Sequence, residues 1–209
     1  MKNIEIRDVY LFAGSSTAAD LELRFTEGTP EQPHRFVGVI PYNSLSADLG
    51  GFKEKLMPTA FRSTLASGSD IQALASHDPD KLLGRTSNST LRVAHTDKGL
   101  AVEVDLPDTS YARDMRELVK RGDVNGLSFG FNVKKDGQRF VKEGGQTIRE
   151  LHDVNLREVS IVSRPAYPET SLSIRSLNID PAVLAEIRAV GSSPACAARR
   201  MQLLRAMAA

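Results

Sequence analysis

Apolar and polar residues alternate in short runs along most of this chain, and each run is closed by a turn-forming residue. Leu21, Leu23 and Phe25 alternate with Glu22 and Arg24, which is the period of a half-buried strand. Arg35 to Ile40 forms a second strand, which Pro41 ends. Ile71 to Leu74, Leu91 to Val93 and Leu100 to Leu106 continue the pattern, the last two joined by Asp97-Lys98-Gly99. Ser44 to Gly51 is polar and reads as loop, and Asp78-Pro79-Asp80 reads as a turn. Before the tail, helical spacing shows in two short places. Pro58 to Leu65 pairs Phe61 with Leu65, and Ser110 to Arg121 follows the cap oxygens of Asp108 and Thr109. On the second helix Met115, Leu118 and Val119 are expected on one face, with Gly122 as the terminator. Many short strands with few helices make a mostly β domain with helices, an α+β chain whose sheet is a barrel or sandwich.

Three polar residues stand out against this background. His77 follows the strand at 71–74, Ser128 lies within Gly126-Leu127-Ser128-Phe129-Gly130-Phe131, and Glu158 lies within Leu156 to Val162. Alternation puts Leu127 and Phe129 on one face and Ser128 on the other. Gly126 and Gly130 clear space around it for a peptide backbone. Leu156, Glu158, Ser160 and Val162 are expected to share a face, and a carboxylate there needs a partner, either an arginine such as Arg157 or a histidine. Asp105 and Asp153 are competing acids. Together the residues offer a base, a nucleophile and an acid, the inventory of a serine hydrolase. The same residues also suit the polar faces of ordinary strands. Polar residues at 134–137 and 143–145 mark a hairpin between the Ser128 and Glu158 strands. Gly84-Arg85-Thr86 is either a contact for a substrate carbonyl or a turn.

Composition narrows the function classes. In 209 residues, 41% are hydrophobic, 25% are charged, and the formal net charge is +1. That balance gives no strong field for nucleic acid or a membrane surface. Trp is absent, which disfavours an aromatic base-stacking surface. Cys196 is the single cysteine, so no internal disulfide forms. His34, His77, His95 and His152 show no metal-ligand spacing; neither a metal nor a cofactor is expected. Charges interrupt the apolar residues near Met1, so no signal peptide is expected, and no run approaches the roughly 20 apolar residues of a membrane span. There is no GxSxG elbow of an α/β-hydrolase.

The ordered set of motifs from Phe36 to Arg175 resembles the prohead maturation proteases of tailed bacteriophages, relatives of the herpesvirus protease assemblin. It comprises Phe36-Val37-Gly38-Val39, Gly51-Phe52-Lys53-Glu54, Ser76-His77-Asp78 with Leu83-Gly84-Arg85-Thr86, Arg121-Gly122-Asp123 leading to Leu127-Ser128-Phe129-Gly130-Phe131, and Glu158-Val159-Ser160-Ile161-Val162 with Pro165-Ala166-Tyr167-Pro168. The resemblance implies a closed β-barrel surrounded by helices. It implies Ser128 as nucleophile, His77 as general base and Glu158 in the place of the third triad member. By analogy with assemblin, oxyanion donors fall at Ser163 and Arg164. The implied substrates are scaffold protein, the N-terminal segment of the major capsid protein, and the chain itself. The implied setting is the immature capsid in the bacterial cytoplasm, and the implied state is a homo-oligomer. The alternative is a catalytically silent assembly or scaffolding factor on the same fold.

The catalytic domain is expected over residues 1–175, with a helical tail at 176–209 that is a targeting or self-cleaved segment. A helix from Asp180 to Val190, a hinge at Gly191 to Pro194 and an Ala- and Arg-rich stretch from Ala195 to Ala209 make up that tail. The hinge at Gly191 to Ala195 is the expected processing site.

Overall fold

The computed structural model describes residues 5–10, 24–28, 33–46, 48–49 and 51–163. The expected tail therefore lies outside the described residues, as do Arg164, Pro165 and Pro168. Strands dominate, as the alternation requires: β1 (Glu5–Tyr10), β2 (Arg24–Thr26), β3 (Arg35–Pro41), β4 (Lys53–Leu56), β5 (Gln72–Ala75), β6 (Asp78–Arg85), β7 (Leu91–His95), β8 (Gly99–Asp105), β9 (Gly126–Val133), β10 (Gln138–Glu143), β11 (Gln146–Leu151) and β12 (Val154–Val162). The helices are α1 (Arg62–Ala66) and α2 (Ser110–Arg121).

The strands form three sheets, in the orders β1-β9-β12-β5-β6, β2-β3-β8-β7 and β10-β11-β4. None closes on itself among the described residues, so the expected closed barrel is replaced by open sheets. Closure would need the edge strands to exchange ladder hydrogen bonds. β6 lies beside β7 and β8 without pairing to them. It also carries Pro79, which has no N–H to donate and is tolerated at an edge. The two larger sheets meet through an apolar core instead. Phe36, Ile40, Val102 and Val104 of one pack with Ala73, Leu127, Phe129, Val159 and Ile161 of the other. Phe129 stacks on Phe131 at 5.3 Å and meets Phe61 in a T-shaped contact at 5.8 Å. Deleting one such ring typically costs about 3–5 kcal/mol.

The helices serve this core. α1 starts at Arg62, four residues later than Pro58, because two tight turns come first, with the Ala60 N–H on the Met57 carbonyl and the Arg62 N–H on the Thr59 carbonyl. Thr64 then docks α1 on the start of β12: its Oγ1 donates to the Val154 carbonyl at 2.7 Å and accepts from the Leu156 N–H at 3.2 Å. On α2 the buried stripe is Ala112, Met115 and, partly, Val119, whereas Leu118 is exposed. Spacings of three and four keep those three within one narrow stripe, and Leu118 falls off it. No side chain caps the start of α2. Gly122 does end it, at φ +82°, with its N–H on the Val119 carbonyl and the Asp123 N–H on Leu118.

Gly144 and Gly145, at φ +56° and +82°, turn β10 into β11, so the polar hairpin forms as expected. Beneath it, Arg149 reaches the fully buried Glu54 on β4 at 3.0 Å.

Candidate active site

Four features of the five-stranded sheet bring His77, Glu158 and Ser128 to one region. The first is the strand order, which puts β12 between β9 and β5. Ser160 faces Ser128 across the antiparallel ladder, and Glu158 faces Gly130. On the other side of β12, the parallel strand β5 pairs through Ala75 with Ile161 and leads directly into His77.

The second is a β-bulge. The register jumps between Leu156, opposite Phe131, and Glu158, opposite Gly130, leaving Arg157 as the extra residue. Simple alternation would put Leu156 and Glu158 on the same face, and that expectation fails here. The bulge keeps Leu156 in the core with Phe131 and sends Glu158, Ser160 and Val162 to the opposite side. Bulges re-aim side chains in this way. Arg157 does not neutralise Glu158; its Nε donates to Asn132 Oδ1 at 3.0 Å.

The third is the turn between β5 and β6. Ala75 pairs with Asp78, leaving Ser76 and His77 as a two-residue hairpin loop at φ +53° and +59°. Both central residues with positive φ is the type I′ arrangement, which normally draws on Asn and Gly. Holding two such residues there costs on the order of 1–3 kcal/mol each and marks places where a side chain must be aimed. The turn expected at 78–80 is thus displaced by two residues. Asp78 still accepts the Asp80 N–H at 3.0 Å, but from within β6.

The fourth is the absence of a side chain at Gly130. A Cβ there would lie 2.6 Å from Glu158 Oε1. The group that approaches this glycine closely is the carboxylate, where the sequence suggested a peptide.

The resulting geometry is compact. His77 Nδ1 and Glu158 Oε1 are 2.8 Å apart. Ser160 Oγ donates to Glu158 Oε2 at 2.6 Å and accepts the His77 backbone N–H at 3.2 Å. Glu158 is 8% exposed, and Ser128 and Ser160 are fully buried. Ser128 Oγ has no hydrogen-bond partner, so no Ser128–His77 bond is formed in this conformation. A buried hydroxyl without a partner typically costs about 1–3 kcal/mol, and such exceptions call for a reason.

The rival groups are committed elsewhere. Asp105 pairs with Arg92 and Arg35. Burial works to raise its pKa, but the two guanidinium groups hold it below the ordinary carboxylate value. Asp153 accepts from Ser63 and lies near Lys134. Tyr42 OH meets His95 Nδ1 at 3.1 Å, and burial pushes that phenol up to about 12. His34 accepts from the Gly28 N–H, and His152 contacts Glu150 at 3.0 Å. Arg85 pairs with Asp70, and Thr86 Oγ1 accepts the Ile71 N–H. Gly84 and Arg85 thus end β6, paired with Ala73 and Gln72, and Thr86 opens the short 3-10 turn that follows. Ser163 is exposed just beyond β12.

Sequence reasoning singled out all three principal residues but gave Ser160 no role. Its position two residues after Glu158 was the available signal.

Comparisons with known proteins bear on the fold and the family of the chain. A structural neighbour is the bacteriophage T4 capsid assembly protease, gp21, at a TM-score of 0.50 and 7% identity, covering 78% of this chain and 98% of that one. The likeness is one of fold. The prohead protease of Enterobacteria phage HK97 is 29% identical over 122 residues, 56% of this chain and 51% of that protein. The match therefore spans about half the length of that relative. A sequence profile described as Caudovirus prohead serine protease matches residues 21–183, a span that contains the whole of the His77, Ser128 and Glu158 arrangement. The chain belongs to the caudovirus prohead serine protease family.

Proposed function

We propose that this chain is a serine endopeptidase of phage capsid maturation, with Ser128 as nucleophile, His77 as general base and Glu158 as the group that orients the base. The observation that carries the proposal is the 2.8 Å contact between His77 Nδ1 and Glu158 Oε1, with Glu158 on β12, the strand that pairs with the Ser128 strand β9, and His77 on the turn that follows β5 on the other side of β12. With Nδ1 engaged by the carboxylate, Nε2 is the nitrogen assigned to take the Ser128 proton in this proposal. The neighbouring negative charge stabilises the imidazolium that forms.

Ser128 Oγ attacks the peptide carbonyl carbon while its proton passes to His77 Nε2. The tetrahedral intermediate collapses as that proton moves to the leaving amine, which departs with the C-terminal product. Water then loses a proton to His77 as it attacks the acyl ester, and the second tetrahedral intermediate collapses to the acid while that proton passes from His77 to the departing Ser128 Oγ. In this proposal the oxyanion donors are assigned to Ser163 and Arg164. One lost donor of this kind typically raises the barrier by ~3 kcal/mol. Reaction also requires the Ser128 hydroxyl to turn onto Nε2. Catalytic hydrogen bonds are commonly looser in free enzymes than in substrate complexes.

The proposed substrates are the N-terminal segment of the major capsid protein, scaffold protein and the chain itself, cut within the assembling prohead in the host cell. Self-cleavage is assigned to the hinge at 191–195, and a homo-oligomer is the proposed state. A second reading is a catalytically silent assembly factor, and the unpartnered Ser128 hydroxyl is the observation in its favour. Co-expression with the capsid protein of the same phage, followed by intact mass, separates the two. Truncated capsid protein with the wild-type chain and full-length protein with Ser128→Ala supports the protease. Equal masses in both cultures support the silent factor.

A further inference from the structure

We infer that Ser160 is a positioning residue for the base, acting through two hydrogen bonds that lock the Glu158 carboxylate to the His77 turn. The inference rests on the triad reading of His77 and Glu158 above and adds a fourth residue to it.

Ser160 Oγ makes two contacts at once. It donates its one proton to Glu158 Oε2 at 2.6 Å, a short bond of the charge-assisted kind. It receives the backbone N–H of His77 at 3.2 Å. The hydroxyl has one proton and two lone pairs, so both contacts are compatible in a single orientation. The carboxylate is held by both oxygens, Oε1 on the imidazole and Oε2 on Ser160. The N–H that Ser160 accepts belongs to a residue at φ +59° that follows another at φ +53°. A backbone this unfavourable needs fixed contacts to persist. The Ser76 N–H on the Ile161 carbonyl at 3.0 Å is one such contact, and the His77 N–H on Ser160 is the next. Ser160 therefore sets both the rotamer of the acid and the backbone of the base. Ser160 is fully buried, and its hydroxyl is spent on these two partners; it does not compete with Ser128 as nucleophile.

The test uses the full chain with Ser160→Ala, Ser160→Thr and Ser160→Cys. Ser160→Ala is expected to lower kcat roughly 10- to 100-fold with KM unchanged, since misplacing a catalytic group by about 1 Å has effects of that size. Ser160→Thr, which keeps the hydroxyl, is expected to restore most of the rate. Ser160→Cys retains the size but donates weakly, and is expected to be slow while folded; it carries the test if the alanine variant does not fold. A second readout is independent of turnover. In a Ser128→Ala background, the His77 Nδ1 proton bonded to Glu158 is expected to give a downfield proton resonance that Glu158→Ala abolishes. Adding Ser160→Ala is expected to shift or broaden it, and Ser160→Thr to retain it. An unchanged resonance and a wild-type kcat in Ser160→Ala, or a wild-type kcat in Ser160→Cys, would overturn the inference and leave the triad standing. Full processing by Ser128→Ala would instead remove the triad reading, with the resonance still reporting on Ser160.

Discussion

Gly130→Ala tests whether the carboxylate position is what the sheet is built to provide. An added methyl would lie 2.6 Å from Glu158 Oε1, 3.1 Å from its Cγ and 3.2 Å from its Cδ, against an ordinary contact of 3.4 Å or more. The carboxylate must therefore retreat by about 0.8 Å at Oε1. A free glutamate would do this easily. Here Oε1 is bonded to His77 Nδ1 at 2.8 Å and Oε2 to Ser160 at 2.6 Å, so retreat breaks or stretches at least one charge-assisted bond. A hydrogen bond to a charged group is worth about 1.5–3 kcal/mol, and inserting a methyl into a packed site typically costs about 1–3 kcal/mol. A stability loss near 2 kcal/mol is expected, together with roughly 100-fold slower cleavage. Since the chain lacks Trp, urea unfolding is best followed by far-UV circular dichroism. The decisive comparison repeats the substitution in a Glu158→Ala background, where the methyl has room. There Gly130→Ala should cost little, giving a coupling energy of about 1 kcal/mol or more. Equal costs in both backgrounds, or wild-type cleavage by Gly130→Ala, would refute the reasoning.

Two further outcomes follow from the charges and hydroxyls described. Ser128→Ala removes a buried hydroxyl that has no partner, so its thermal midpoint should equal or exceed that of the wild type while cleavage is lost; a destabilisation beyond about 1 kcal/mol would contradict this. Asp105 has a folded pKa lowered from 3.8, with burial opposing and Arg92 and Arg35 prevailing. A carboxyl depressed in the folded state contributes stability above its unfolded pKa and loses it as pH falls through the folded value. Acid unfolding below about pH 4 should therefore be shallower in Asp105→Asn than in the wild type, and parallel acid titrations by circular dichroism check it.

The strands around the site were legible because their alternation is strong: Leu127 and Phe129 do face the core, and Ser128 the opposite side. What alternation could not carry was the bulge at Arg157, which reverses the face between Leu156 and Glu158. A bulge inserts one residue without any compositional mark. The turn was misplaced for a related reason. Asp78-Pro79-Asp80 has turn chemistry, whereas the actual loop, Ser76-His77, adopts a conformation that favours Gly and Asn. Tertiary contacts to β12 hold it against local preference. Sites that break local rules in this way are where function is expected. The closed barrel was implied by the resemblance, and among the described residues the sheets stay open; closure is a matter of edge pairing between distant strands, which no local pattern encodes. The resemblance implied the roles of His77, Ser128 and Glu158; the structure adds the contact between His77 and Glu158 and the hydrogen bonds of Ser160 to both.

The most direct test of the account is covalent labelling with a small organophosphorus fluoridate, read by peptide mass mapping. The account predicts one phosphorylated serine, Ser128, with the label lost in both Ser128→Ala and His77→Ala. A label on a different residue, or an unlabelled Ser128 in a sample that still cleaves capsid protein, would contradict it.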